Sequence, residues 1–140
     1  MLRDFFDQGP GPLLRAGPLA VELKGELLEA DLKTGAILAA FAPDERFTQG
    51  AGVVQGGVVA AMLDFAMALS GFTRIARGKS FATVSMTTQF LKPVRPGRCL
   101  VRGRLDRAGS RMIFASAELC AEGSEALMAT ACAVMAITDA

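Results

Sequence analysis

The sequence predicts an α+β fold: a curved antiparallel sheet of six strands wrapped around one central helix. Two observations carry this prediction. The stretch Val58–Ile75 is apolar nearly all round, as a helix at the centre of a domain is and a surface helix is not. Six short β-rich runs flank it, two before and four after, each bounded by Gly, Pro, Asp or Ser.

Taken in order, Leu2–Gln8 reads as a short amphipathic turn of helix with Phe5 and Phe6 packing on the main body, ended by Gly9-Pro10-Gly11-Pro12. From Leu19 to Asp31 acids and apolar residues alternate. Lys33-Thr34-Gly35 then turns the chain into Ala36–Ala42, giving a β-hairpin with a bulge where the alternation slips at Leu27-Leu28. Pro43-Asp44-Glu45 breaks the pattern, and Thr48-Gln49-Gly50-Ala51-Gly52 is a loop leading to Gln55-Gly56-Gly57 and the helix. After the helix come strands Phe81–Leu91, Arg98–Arg107, Arg111–Ala121 and Leu127–Ile137. Short turns rich in Pro, Gly or Ser join them, which reads as an antiparallel meander.

Composition narrows the chemistry. A chain of 140 residues, 51% hydrophobic and 21% charged, suits one domain with a real core and excludes disorder. It contains no His, no Trp and no Tyr. The absence of His removes His-ligated zinc, Ser-His-Asp and Cys-His nucleophiles, and any imidazole acid or base. Cys99, Cys120 and Cys132 are odd in number, lack C-x-x-C spacing and lie in apolar strand-like runs, so they read as buried reduced thiols of a cytoplasmic protein. The start MLRDFFDQGPGP has neither the basic region nor the apolar stretch of a signal peptide. Val53–Phe72 is long enough to span a bilayer, but Asp64 near its middle would cost about 2.5–3.5 kcal/mol there, so it reads as a helix of a soluble protein.

The formal net charge of +1 conceals opposed segments. The first 73 residues hold nine acids against five bases, whereas Arg74–Arg111 holds ten bases and one acid, Asp106. An anionic partner is the functional reading of that segment. The bland one is a solvated strand face, since Arg98, Arg102 and Arg104 alternate with less polar residues. Nucleic-acid binding is disfavoured, because the central helix is apolar and few aromatics sit among the bases.

Two features point to chemistry. Asp64 lies in an otherwise apolar helix, and its neighbours at i±3 and i±4, Ala60, Ala61, Met67 and Ala68, offer no side-chain partner. An ionised carboxylate left unpaired there would be costly, so Asp64 needs a partner or a function. Gly56 and Gly57 would leave bare N–H groups at the helix N-terminus, where the macrodipole favours an anion or a carbonyl becoming one. A dinucleotide fingerprint fails, because Gln55 stands where the third glycine belongs, and a Walker loop fails for want of Gly-Lys-Ser/Thr. Eight residues separate Gly56 from Asp64, roughly 12 Å along a helix. A symmetric dimer that sets the helix end of one subunit beside the Asp of the other would bring both to one reacting carbonyl.

The stretch TQGAGVVQGGVVAAMLDFAMA resembles the start of the central helix in hotdog-fold acyl-CoA thioesterases of the phenylacetate-pathway and 4-hydroxybenzoyl-CoA type. ATVSMTTQFLKPVRPG and the final hairpin match as well, so the resemblance runs from about Leu19 onward. It implies a single hotdog domain over residues 1–140 with residues 1–18 as an extension. It implies a homodimer or dimer of dimers with sites at the subunit interface, and hydrolysis of an acyl-CoA thioester to free acid and CoA without a cofactor or metal. On the matching positions, Asp64 takes the place of the carboxylate that acts as nucleophile or general base, and Gly56 that of the N–H polarising the carbonyl. Gln49 stands near that carbonyl and Thr83 where a hydroxyl helps place the water or the carboxylate. Gln55 replaces the family's usual His; it can donate an N–H but carries no proton at neutral pH. A non-catalytic acyl-CoA binder is the alternative this replacement leaves open. Gly57 and the basic residues Arg74, Lys79, Lys92 and Arg95 are the candidates for holding substrate, the bases through the phosphates of CoA. Met62, Phe65, Phe72, Phe81 and Met86 are read either as acyl-pocket lining or as plain core.

Overall fold

The computed structural model describes residues 4–140, with side chains from Phe6 onward. Helix α1 (Asp4–Asp7) is followed by β1 (Gly11–Pro12), α2 (Pro18–Glu22), β2 (Glu26–Ala30), β3 (Ile37–Phe41), a 3-10 turn (Glu45–Phe47) and α3 (Gly56–Phe72). Four long strands complete the chain: β4 (Lys79–Phe90), β5 (Cys99–Ala108), β6 (Met112–Ala121) and β7 (Ala129–Asp139). All pair antiparallel in one seven-stranded sheet of order β1-β2-β3-β5-β6-β7-β4, and α3 packs across β3, β5, β6 and β7.

Several expectations change. The strand expected from Leu19 divides, because Pro18 opens a helical turn with its missing N–H at no cost and the chain becomes extended only after Gly25. The alternation in β2 does slip at Leu27/Glu29, where the register with β3 shifts. The two-residue β1 raises the strand count from six to seven. The four late strands are not a simple meander. β4 pairs with β7, and β5 pairs with β3, because α3 crosses beneath the sheet and delivers β4 to the far edge. Helix α3 begins two residues earlier and ends three residues earlier than Val58–Ile75. Leu2 and the Phe5 side chain lie outside the described residues, while Phe6 packs against the core.

Sheet alternation also corrects the reading of the cysteines. All three are free thiols, but of these Cys99 is buried, Cys120 half-buried and Cys132 exposed. Ala131 and Ala133 face the core, so Cys132 between them faces outward. Burial pushes the Cys99 thiol up to about 11.

One contact fixes how closely α3 approaches the sheet. A Cβ at Gly103 would stand 2.5 Å from the Ala66 carbonyl oxygen and 2.7 Å from Ser70 Oγ, a fully buried hydroxyl without a hydrogen-bond partner among the described residues. Helix backbone cannot yield as a flexible side chain can. Gly103→Ala is therefore expected to destabilise the fold by about 2–3 kcal/mol, read as a lowered urea midpoint at unchanged m-value.

Candidate active site

The N-terminus of α3 is held open by its surroundings. The approach loop closes on itself through a Thr48–Val54 bridge and the Gln49 N–H to the Val53 carbonyl at 2.8 Å. It is tied to the body through Gln55 N–H to the Phe47 carbonyl at 2.8 Å and Val54 N–H to the Val94 carbonyl at 2.7 Å. Arg46 anchors the preceding turn, pairing with Glu22 at 2.9 Å and Asp44 at 3.0 Å, and its hydrogen bonds hold the Asp44 carboxyl below the usual carboxylate range. Gln55 is the N-cap, extended at φ −54 and ψ 135, and its side chain caps nothing. Its carbonyl accepts from Val58 and Val59. The N–H groups of Gly56 and Gly57 have no acceptor among the described residues. Two glycines in a first turn cost on the order of 1 kcal/mol each relative to alanine, and the usual Ser, Thr or Asp cap is missing. What this end offers is two bare donors at the positive pole of a 17-residue helix.

Asp64 sits two turns further along, on the side of α3 that the sheet does not cover. The helix buries Val59, Met62, Leu63, Ala66, Met67, Leu69, Ser70 and Gly71, whereas Gly57, Ala60, Ala61, Asp64 and Ala68 stay partly open. The partner that the helix lacks comes from β4: Thr83 Oγ1 donates to Asp64 Oδ1 at 2.9 Å. Thr83 faces the helix because it pairs with Met135, an inward residue of β7, and a register shift follows between Thr83 and Ser85. One carboxylate oxygen is thereby oriented, and the other has no hydrogen-bond donor among the described residues. Hydrogen bonds to charged groups contribute roughly 1.5–3 kcal/mol, so Thr83→Val is expected to cost stability up to that order, read as a lowered midpoint in a circular-dichroism melt.

The structure thus joins Asp64 with Thr83, and Gly56 with Gly57 and Gln55, but keeps the two groups roughly 12 Å apart along α3. Gln49 is exposed beside the helix end, its Oε1 accepting from the Ala51 N–H at 2.7 Å. The basic candidates divide. The Arg74 guanidinium donates to the Leu32 carbonyl at 2.7 Å and to the Lys33 carbonyl, and Lys79 pairs with Asp139 at 2.5 Å. Arg98 pairs with Glu26 and Glu122, and Arg104 with Asp106. Lys92 and Arg95 are exposed and without a side-chain partner among the described residues, on the segment that receives the Val54 N–H. Lys79 and Lys92 flank opposite ends of β4, roughly 35 Å apart or more.

The apolar candidates are mostly core. Met62 is fully buried, Phe72 and Phe81 pack with ring centroids 4.3 Å apart, and Phe65 stacks on Phe41 at 5.7 Å. Sequence reasoning passed over Phe90, whose Cε1 and Cζ lie 3.5 Å from where a Cβ on Gly56 would stand. Its signal was available: a large aromatic ends a strand just before Lys92-Pro93, a place where solvent-facing residues are usually polar.

Comparison with known proteins identifies the family and the fold. Residues 51–128 match the family model of the thioesterase superfamily, which covers α3 and most of the strands after it. A phenylacetic acid degradation-related protein from Ralstonia eutropha JMP134 is 30% identical, with a TM-score of 0.82 and 96% of each chain covered. A thioesterase family protein from Silicibacter pomeroyi is 23% identical, with a TM-score of 0.83 over 99% of this chain and 96% of that one. A protein of Streptococcus mutans UA159 bound to acetyl CoA shares the fold at 17% identity, with a TM-score of 0.71 over 81% and 87% of the two chains. No curated protein sequence matches the chain. The matched segment contains the open helix end, Asp64 and Thr83 together, and on this evidence the chain belongs to the thioesterase superfamily and carries its hotdog fold.

Proposed function

We propose that the protein is an acyl-CoA thioesterase whose active site is completed by a second copy of the chain. The observation that carries the reading is Asp64, held by the Thr83 hydroxyl at 2.9 Å on the open side of the same helix whose N-terminus presents two unpaired N–H groups. The thioester carbonyl oxygen accepts from Gly56 and Gly57, which polarises the carbon and stabilises the oxyanion of the tetrahedral intermediate. Asp64 takes a proton from a water that attacks that carbon, or attacks it directly to form an anhydride that water then hydrolyses; in either course the C–S bond breaks, CoA leaves as its thiolate and the free acid is released. Gln49 and Gln55 border the carbonyl and fix the loop. Because Gln55 cannot carry a proton, Asp64 is the acid-base group of the scheme.

Two features support a dimer. β4 is a 12-residue strand with one edge unpaired among the described residues, exposing Val84 at 58%, with Leu91 just beyond its end at 54%, and such an edge calls for a partner. Beside it, the open stripe Gly57, Ala60, Ala61, Ala68 is small enough to admit another helix closely. An antiparallel twofold there sets Gly56 and Gly57 of one subunit beside Asp64 of the other. Lys92 and Arg95, free and on the helix-end side, take the phosphates of CoA, whereas Arg74 and Lys79 are already engaged. The acetyl CoA seen on the Streptococcus mutans protein of the same fold supports CoA as the carrier.

The test is a thiol-release assay over a panel of aryl- and alkyl-CoA esters. Hydrolysis of at least one ester, lost in Asp64→Ala, is expected. Gln55 in the place of a His favours one other reading, a binder without turnover, for which CoA esters bind and none is hydrolysed.

A further inference from the structure

The position of Phe90 is not explained by the fold. It pairs with Ala129, a fully buried inward residue of β7, so its ring projects on the helix side of the sheet, yet it remains 57% exposed. A large aromatic left half in water, with Thr88 and Met86 as its β4 neighbours on the same face, gains less for stability than one buried in the core. The ring is instead set against the first residue of α3, where a Cβ at position 56 would make ordinary van der Waals contact with Cε1 and Cζ at 3.5 Å. It therefore flanks the unpaired N–H groups of Gly56 and Gly57. A carbonyl oxygen bound there stands about 2.9 Å from its donors, which puts the groups attached to the carbonyl carbon within reach of the ring.

We infer that Phe90 is a specificity-determining residue: its ring is the apolar wall on which the acyl group packs, and it favours acyl chains longer than acetyl. The inference takes its substrate from the thioesterase reading and its location from the contact with Gly56. An added methylene against an apolar wall is worth on the order of tenfold or more in kcat/KM, so two of them give a preference that is easily measured.

The experiment compares kcat/KM for butyryl-CoA and acetyl-CoA in wild type, Phe90→Tyr, Phe90→Leu and Phe90→Ala. In parallel, calorimetry measures binding of the unreactive keto thioethers S-(2-oxopentyl)-CoA and S-(2-oxopropyl)-CoA, which keep the carbonyl and differ by the same two methylenes, to the same four proteins. Wild type is expected to prefer the four-carbon probe by about tenfold or more in both measurements, with Tyr retaining the preference, Leu reducing it severalfold and Ala bringing it close to unity. A preference unchanged in Phe90→Ala overturns the inference and leaves thioester hydrolysis standing. Absence of hydrolysis, with a thioether preference that vanishes in Phe90→Ala, overturns the catalytic reading and leaves the inference standing. A wild type that shows no preference in either measurement overturns the inference outright.

Discussion

Replacing Asp64 by asparagine is expected to lower kcat for CoA-thioester hydrolysis roughly a thousandfold while leaving the fold and substrate affinity nearly intact. The variant keeps the size of the side chain and can still accept from Thr83 Oγ1, so the contact at 2.9 Å survives in altered form. What it removes is the negative oxygen that attacks the thioester carbon or takes a proton from water. No His exists in the chain to take over. Stopped-flow or plate-reader thiol release, with KM measured on the residual activity, checks the result. A fall in kcat with KM unchanged is the expected signature. A rise in KM alone would assign Asp64 to binding, and full activity would remove it from the site.

Gly56→Pro is the second large effect, and it isolates a single hydrogen-bond donor. Position 56 is the first residue of α3, where proline is tolerated because its missing N–H has no intrahelical acceptor. The preceding residue must be extended before a proline, and Gln55 already is, at φ −54 and ψ 135. Stability should therefore change little. Loss of one oxyanion donor costs about 10²–10³ in kcat, and that is the expected fall. Gly56→Ala is the matched control: it keeps the N–H and brings its Cβ to 3.5 Å from the Phe90 ring, an ordinary contact. Turnover retained in the alanine variant and lost in the proline variant identifies the N–H rather than the glycine as the functional element. Equal activity in both would mean that the carbonyl is polarised elsewhere.

What could be read in advance follows the range of the interactions. The central helix, its carboxylate and its glycine start are local in sequence, and so are the β2–β3 hairpin and its bulge. Strand pairing is not local. Nothing in Phe81–Leu91 states that it crosses to β7 rather than joining β5; that choice is made by α3, which carries the chain beneath the sheet. The same distance in sequence hid the partner of Asp64. Thr83 lies 19 residues away and meets it only once β4 occupies the edge. Charge is similar: the basic run Arg74–Arg111 looked uniform, but Asp139, Glu26, Glu122 and the Leu32–Lys33 carbonyls engage Lys79, Arg98 and Arg74 from remote elements. Two exceptions were short-range and still misread. Pro18 began a helical turn inside an alternating pattern, and Cys132, between two inward alanines, faces solvent.

The account rests on one arrangement, in which a carbonyl is held by the helix end of one subunit and attacked through Asp64 of the other. Mixing subunits tests it most directly. Asp64→Asn and Gly56→Pro proteins, each nearly inactive alone, are combined in equal amounts, unfolded and refolded together, and assayed for thiol release. In a shared-site dimer half the molecules are hybrids, and each hybrid has one site built from the intact Gly56 of one chain and the intact Asp64 of the other, so activity is expected to recover to about one quarter of wild type. A mixture no more active than the mean of its two parents would contradict the account and place both groups of the site in a single chain.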